Sequence, residues 1–457
     1  MRIHERLKNM MDAGDKERDK CLVTPDGIER FDDISYGEHG VWNLLDVYRP
    51  KNTHLQKLPV IFSVHGGGWI YGDKDVYQHY CMELSGHGFV VVNFTYRLSP
   101  DIVYPEHLTD VNSAMHWVKD NISRYGGDIS KLCMIGDSAG AQMAAMYACA
   151  LTNPVCREKL SLDVPDVKVR AIVLNCGVYD INDGMRRIDE SEPPEEREDL
   201  IRCILGENYG EAETELGKPA NFVTPDFPAA YIMTSNGDFL RYQQHLMTEA
   251  LEKNGVYFEY HEYGDENEML WHVFHCNIRT DAAQKCNKAE CDFFKKHTED
   301  KIMLRKTPDE YAETAGKLFT SGYNCSQAVF LTFAEELGMP FDMAARLSSS
   351  FGGGMGRMRE VCGAVSGMFM AAGLLCGYDD PEAQSEKTEH YKRIQDLAAR
   401  FKEHTGSIIC RELLGLDIKG ADSHVPEKRT EEYYKKRPCK EMVEIAARIT
   451  AEYFLEI

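Results

Sequence analysis

The chain has 457 residues, with 52 basic against 74 acidic side chains and a formal net charge of -22. That length exceeds what one hydrophobic core normally serves, so two domains are expected, and the acidic balance argues against nucleic acid or an anionic membrane as a partner. Fifteen cysteines are spread through an otherwise ordinary composition, many within apolar runs, which reads as reduced thiols in a cytoplasmic protein rather than as a secreted disulfide scaffold.

Residues 1–20 are charged throughout and carry no apolar signal segment. Ile3, Leu7 and Met10 recur there at helical spacing, making 1–35 a candidate cap element. Strand-like runs follow at 41–48, 60–64, 89–96, 132–135, 171–174, 230–234 and 257–263, several separated by helical patterns such as 106–124 and 244–254. The alternation predicts an α/β domain over 1–297 with a mostly parallel sheet. Residues 181–221 break the rhythm with acidic clusters and Pro193-Pro194, and form a second candidate cap element or a solvated loop.

Three places in this domain carry chemistry. The 60–64 run ends in His65-Gly66-Gly67-Gly68-Trp69, an oxyanion-loop signature, and the 132–135 run ends in Gly136-Asp137-Ser138-Ala139-Gly140 before a helical stretch. That second motif is a strand-to-helix turn holding a serine hydroxyl exposed. Serine needs a base and an acid to orient the base, found in that order along such chains. Asp238 follows the 230–234 strand and His272 follows the last strand; Asp265 is the substitute acid, and His275 and His261 compete as base. The oxyanion would be received by the backbone N–H groups of Gly66, Gly67 and Ala139, with Trp69 and Tyr71 as candidate walls of an acyl pocket.

Residues of about 40 to 297 resemble the hormone-sensitive-lipase-like branch of the α/β-hydrolase fold. The resemblance rests on 65–69, Tyr96-Arg97-Leu98-Ser99-Pro100, Tyr104-Pro105 before an Asp110-bearing helix, 136–140, Gly237-Asp238-x-Leu240 and His272-x-Phe274. It implies a carboxylesterase or lipase without a cofactor, acting on small to medium acyl esters through Ser138, Asp238 and His272. A related group of formamidases and small-amide hydrolases shares the glycine loop and is the alternative. Ala141 stands where a third glycine is usual, and Phe239 where a proline or small residue is frequent.

Residues 298–306 read as a charged linker, and Thr307-Pro308-Asp309-Glu310 opens a new domain, 307–457, with a capping box. Its helical patterns at 311–320, 326–337, 362–375, 386–403 and 441–454 predict an all-helical fold. The uncharged stretch 361–378 is rich in Gly, Ala and Ser and reads as a packed core helix rather than a membrane span. Cys325, Cys362, Cys410 and Cys439, with Cys362-Gly363-Ala364-x-x-Gly367, resemble the C-GCAxxG-C-C family, described as redox-active.

Cys325 and Cys362 fall at predicted helix starts, which should lower their thiol pKa. The wide spacings, without CxxC, fit neither a zinc ribbon nor the usual cluster runs. Three readings stay open: reversible disulfide chemistry with a redox partner, a metal or iron–sulfur site, and four separately buried cysteines. The glycine run 352–356 lacks the Lys and Ser or Thr of a phosphate loop and reads as a flexible turn. The expected whole is therefore a serine hydrolase fused to a thiol redox or metal-binding module; the alternative of another class is a redox or metal-binding protein with a non-catalytic hydrolase scaffold.

Overall fold

The computed structural model describes residues 2–53, 57–188, 193–299, 304–378, 384–418 and 421–456. The chain divides into two units, Met1–Glu299 and Asp300–Ile457. The first is built on eight strands: β1 (Ile28–Ser35), β2 (Leu44–Pro50), β3 (Leu58–Val64), β4 (Val90–Phe94), β5 (Gly127–Asp137), β6 (Val169–Asn175), β7 (Ala229–Ser235) and β8 (Phe258–Tyr263). Their order across the sheet is β1-β2-β4-β3-β5-β6-β7-β8. β2 pairs antiparallel with β1 and β4, and every other pairing is parallel.

The strand period of two divides the side chains between two cores. Val60, Phe62, Leu132, Met134, Ile172 and Leu174 join one cluster. Their neighbours Ile61, Cys133, Ile135, Ala171 and Val173 join the other. Helices cover both faces, so the central strands are near-continuous apolar runs, which is why they were legible.

β1 was not. Its sequence, Ile-Glu-Arg-Phe-Asp-Asp-Ile-Ser, is charged and mostly half-buried or exposed, as suits an edge strand, and only pairing to β2 makes it a strand. Within 181–221, the described residues form three α-helices, Ile181–Arg186, Pro194–Leu205 and Glu211–Leu216, and enter the 3-10 helix Pro219–Phe222; residues 189–192 lie outside the described residues. The helix Ile3–Arg18 meets the second of them through an Arg6–Glu196 ion pair of 2.6 Å. The linker expected from 298 starts within a helix: Asp281–Thr298 runs through the charged residues because Phe293, Phe294 and Thr298 on its inner face are buried. Residues 300–303 lie outside the described residues.

The second unit is helical, around its own core. Pro308–Thr320 opens with the capping box expected from the sequence and packs along Cys439–Glu456. Between them come Cys325–Thr332, Phe341–Ser348, Gly363–Cys376, Gln384–Thr405 and short turns. Among the described residues, no helix is long and apolar enough to cross a membrane.

Candidate active site

The parallel strands end on one side of the sheet, and the chemistry collects there. β5 ends at Asp137, and Ser138 takes φ 52° and ψ -117° before the helix Ala139–Thr152 begins. A non-glycine residue held at positive φ is strained, and here the turn is tied down by Ser138 N–H donating to the Asn175 carbonyl at 2.8 Å. β7 ends at Ser235, placing Asp238 in the next turn. The loop after β8 is stitched to that turn: Gly237 N–H donates to Leu270 O at 2.9 Å, and Ser235 Oγ to Trp271 O at 3.2 Å. These bonds bring His272 to Asp238.

Ser138 Oγ lies 2.9 Å from His272 Nε2, and His272 Nδ1 lies 2.7 Å from Asp238 Oδ1. The carboxylate is completed by Leu240 N–H at 2.9 Å on Oδ1 and the Thr234 hydroxyl at 2.7 Å on Oδ2. Burial opposes the Asp238 charge, but His272 and these donors outweigh it and hold the carboxyl below its ordinary range. Thus Asp238 is an acceptor on both oxygens, with His272 Nδ1–H directed to one of them.

The competing residues lie elsewhere. His275 is fully buried, packs edge-on to Tyr80, and is pushed down to about 3 by burial. His261 stacks on Tyr231, and Asp265 accepts the N–H groups of Asn267 and Glu268 in a turn. Phe239 leans on the His272 ring at 4.6 Å. Trp69 is buried against Tyr104, while Tyr71 is engaged with Asp15; both serve loop packing.

The oxyanion-loop assignment needs one correction. Gly66 N–H is not available: it faces Asp137 Oδ1 and the Tyr77 hydroxyl, each at 3.1 Å. The Gly67 and Gly68 N–H groups have no partner among the described residues, and Ala139, first in its helix, has no intrahelical acceptor. Gly67 has φ +107°, and a Cβ there would strike the Tyr71 carbonyl.

Asp137 went unremarked in the sequence because only the fold reveals its task. Buried between the elbow and the glycine loop, it accepts from Gly66 N–H and from Tyr77 at 2.7 Å, coupling the two motifs. Burial raises its carboxyl from 3.8 to about 6. A folded-state pKa above the unfolded one means the native state keeps a proton that the unfolded chain releases, so stability falls as pH rises from about 4 to about 6. Asp137→Asn should flatten that part of the pH profile of the urea midpoint. Cys176, after β6, was also missed: its Sγ, an Asp238 oxygen and a His272 nitrogen lie within 4.8 Å of one another.

In the second unit, the four predicted cysteines line one cavity of about 60 Å³, together with Arg359, Arg429 and Arg437. All are free thiols. The lowering expected for Cys362 is overturned: burial, then neighbouring thiol charge, pushes it well up, and burial also takes Cys439 up to about 12. The glycine run is part of the wall. Gly353 N–H donates to Cys325 Sγ at 3.4 Å, and Gly354, at φ +70°, lies where a Cβ would meet Cys410.

Comparisons with known proteins find two families along the chain. Residues 45–250 match the BD-FAE family, and residues 323–453 match the family described as "Putative redox-active protein (C_GCAxxG_C_C)". The chain joins a BD-FAE domain to a C_GCAxxG_C_C domain. The BD-FAE region is 32% identical over 212 residues to "Probable carboxylic ester hydrolase LipM" of Mycobacterium tuberculosis, covering 46% of this chain and 48% of that protein. It is 28% identical over 239 residues to versiconal hemiacetal acetate esterase of Dothistroma septosporum, covering 47% and 67%. The chain thus spans about half the length of the first curated relatives it matches. The α/β-hydrolase fold is shared with esterase B from Lactobacillus Rhamnosis, at a TM-score of 0.60, 20% identity, and coverage of 65% of this chain and 94% of that one.

Proposed function

We propose that the BD-FAE domain hydrolyses small to medium acyl esters through an acyl-enzyme on Ser138. His272 Nε2 takes the Ser138 proton as Oγ bonds to the acyl carbon, then returns it to the leaving alcohol oxygen as the ester C–O bond breaks. Water attacks the acyl-enzyme by the same route, releasing the acid and restoring Ser138. Asp238 fixes the imidazole tautomer and faces the imidazolium charge. The free N–H groups of Gly67 and Ala139, with Gly68 beside them, are the donors offered to the tetrahedral oxyanion. Hydrogen-bonding contact along Ser138, His272 and Asp238 carries this reading.

The helices of 3–18 and 194–205 are read as cap elements on the strength of their Arg6–Glu196 pair. The C_GCAxxG_C_C domain is read as a thiol or metal redox module, and the chain as cytoplasmic, since all fifteen cysteines are free and eleven of them are buried.

A panel of p-nitrophenyl esters of graded acyl length, with a formamide arm, tests the substrate class. Turnover should be highest for short and medium acyl chains. Faster turnover of the formamide would favour the amide hydrolase instead. A fluorophosphonate should label Ser138 in the native chain, and absence of labelling at that residue would overturn the mechanism.

A further inference from the structure

The four cysteines do more than share a cavity: each stands at a helix start. Cys325 is the first residue of Cys325–Thr332, Cys362 precedes Gly363–Cys376, Cys410 begins Cys410–Leu413, and Cys439 begins Cys439–Glu456. The three longer helices bring the positive ends of their dipoles to the cavity.

The side chains around it have the same sign. Arg359, Arg429 and Arg437 line the cavity and no carboxylate does. Asp422 and Glu427 pair with Arg359 and Arg437 from outside the wall, Arg357 pairs with both acids, and Arg429 is held by the carbonyl oxygens of Phe319 and Tyr323. Four guanidinium groups against two carboxylates leave a positive surplus around a space ringed by sulfur. Such a site favours a centre with negative charge.

Sulfur spacing narrows the centre. A single zinc held by four cysteines at about 2.3 Å draws its sulfurs to within roughly 4 Å of one another. Among the described residues, no three of these sulfurs lie within 4.8 Å of each other; the one such group of His, Cys, Asp or Glu is Cys176, Asp238 and His272. The sulfurs surround a space instead of closing on a point. The Gly353 N–H already aimed at Cys325 Sγ is the type of bond that tunes a cluster ligand.

We infer that Cys325, Cys362, Cys410 and Cys439 together ligate one polynuclear iron–sulfur cluster in this cavity. The inference rests on the redox-module reading of the domain and gives it a chemical class. On assembly, four iron–sulfur(Cys) bonds form and the four thiol protons pass to solvent, leaving an anionic centre among the arginines.

The test is anaerobic reconstitution of the full chain with ferric iron and sulfide under a thiol reductant, which supplies the electrons that a mixed-valent cluster takes up. Iron and acid-labile sulfide should be retained in equal amounts, roughly two to four of each per chain, with a broad visible absorption that dithionite bleaches. Cys439→Ser and Cys325→Ser should each lower the retained iron at least about tenfold, while Cys376→Ser, outside the cavity, should keep it. Circular dichroism checks the helices. Arg429→Gln leaves all four ligands and should shift the cluster's midpoint potential down by removing positive charge, with Arg429→Lys restoring it.

Stoichiometric zinc without sulfide, or no retained metal, overturns the cluster. If the metal-free chain instead loses two thiols reversibly on mild oxidation, the cluster fails while the redox module stands. If its thiol count does not change either, both fail.

Discussion

Ser138→Ala should lower kcat for a short-chain p-nitrophenyl ester by about 10⁴- to 10⁶-fold, with KM within a fewfold of the native value. The hydroxyl oxygen is the only heavy atom lost, and it is the atom that would form the acyl bond. His272 and Asp238 would stay bonded to each other at Nδ1, and the free N–H groups of Gly67 and Ala139 would stay in place. The residual rate would come from that donor set and from substrate binding. Thermal stability should change little, because the elbow strain sits in the backbone and Ala at φ 52° inherits it. Steady-state kinetics with active-site titration decides the matter, and undiminished turnover would sink the acyl-enzyme mechanism.

Asp238→Ala should cost about 10⁴-fold in kcat, and Asp238→Asn distinctly less. The reason lies in which donor meets which oxygen. Leu240 N–H points at Oδ1, the oxygen shared with His272, so an asparagine would set its carbonyl there and its amide nitrogen toward Thr234, whose hydroxyl can rotate to accept. That orientation keeps His272 Nδ1 protonated and Nε2 free to accept from Ser138. Only the negative charge opposite the imidazolium is lost. Alanine loses the charge and the tautomer control together. Equal losses in the two variants, measured as kcat near neutral pH, would show that the amide does not settle as described.

The pH dependence should separate the two buried acids near the elbow. Asp238 is held below its ordinary range, so its share of stability is present at neutral pH and is lost as pH falls. Asp137 works in the opposite direction, its neutral form being favoured in the fold. Loss of stability in strong acid therefore belongs to the first, and a decline from about pH 4 to about pH 6 to the second.

Residues 65–69 and 136–140 were legible as sequence because each imposes a local backbone shape, and a glycine or a strained serine is a signature that survives without its neighbours. The central strands were legible for a related reason: burial on both faces demands unbroken apolar runs, as in Val90–Phe94. Chain order then sufficed to nominate Asp238 and His272. The domain division came from the capping box at Thr307, again a local device.

What the sequence could not decide were contacts between segments far apart in the chain. Gly66 looked like an oxyanion donor until its N–H was found facing Asp137, 71 residues on. The pairing of β1 with β2, the nearness of Cys176 to Asp238, and the gathering of four widely spaced cysteines at helix starts around one cavity belong to the same class. Composition and periodicity fix which face of an element is buried, since that depends on the element's own residues. Which polar atom meets which depends on the packing of elements against each other, and for this chain only the tertiary structure decided that Asp137 holds the glycine loop and that four cysteines and three arginines enclose one space.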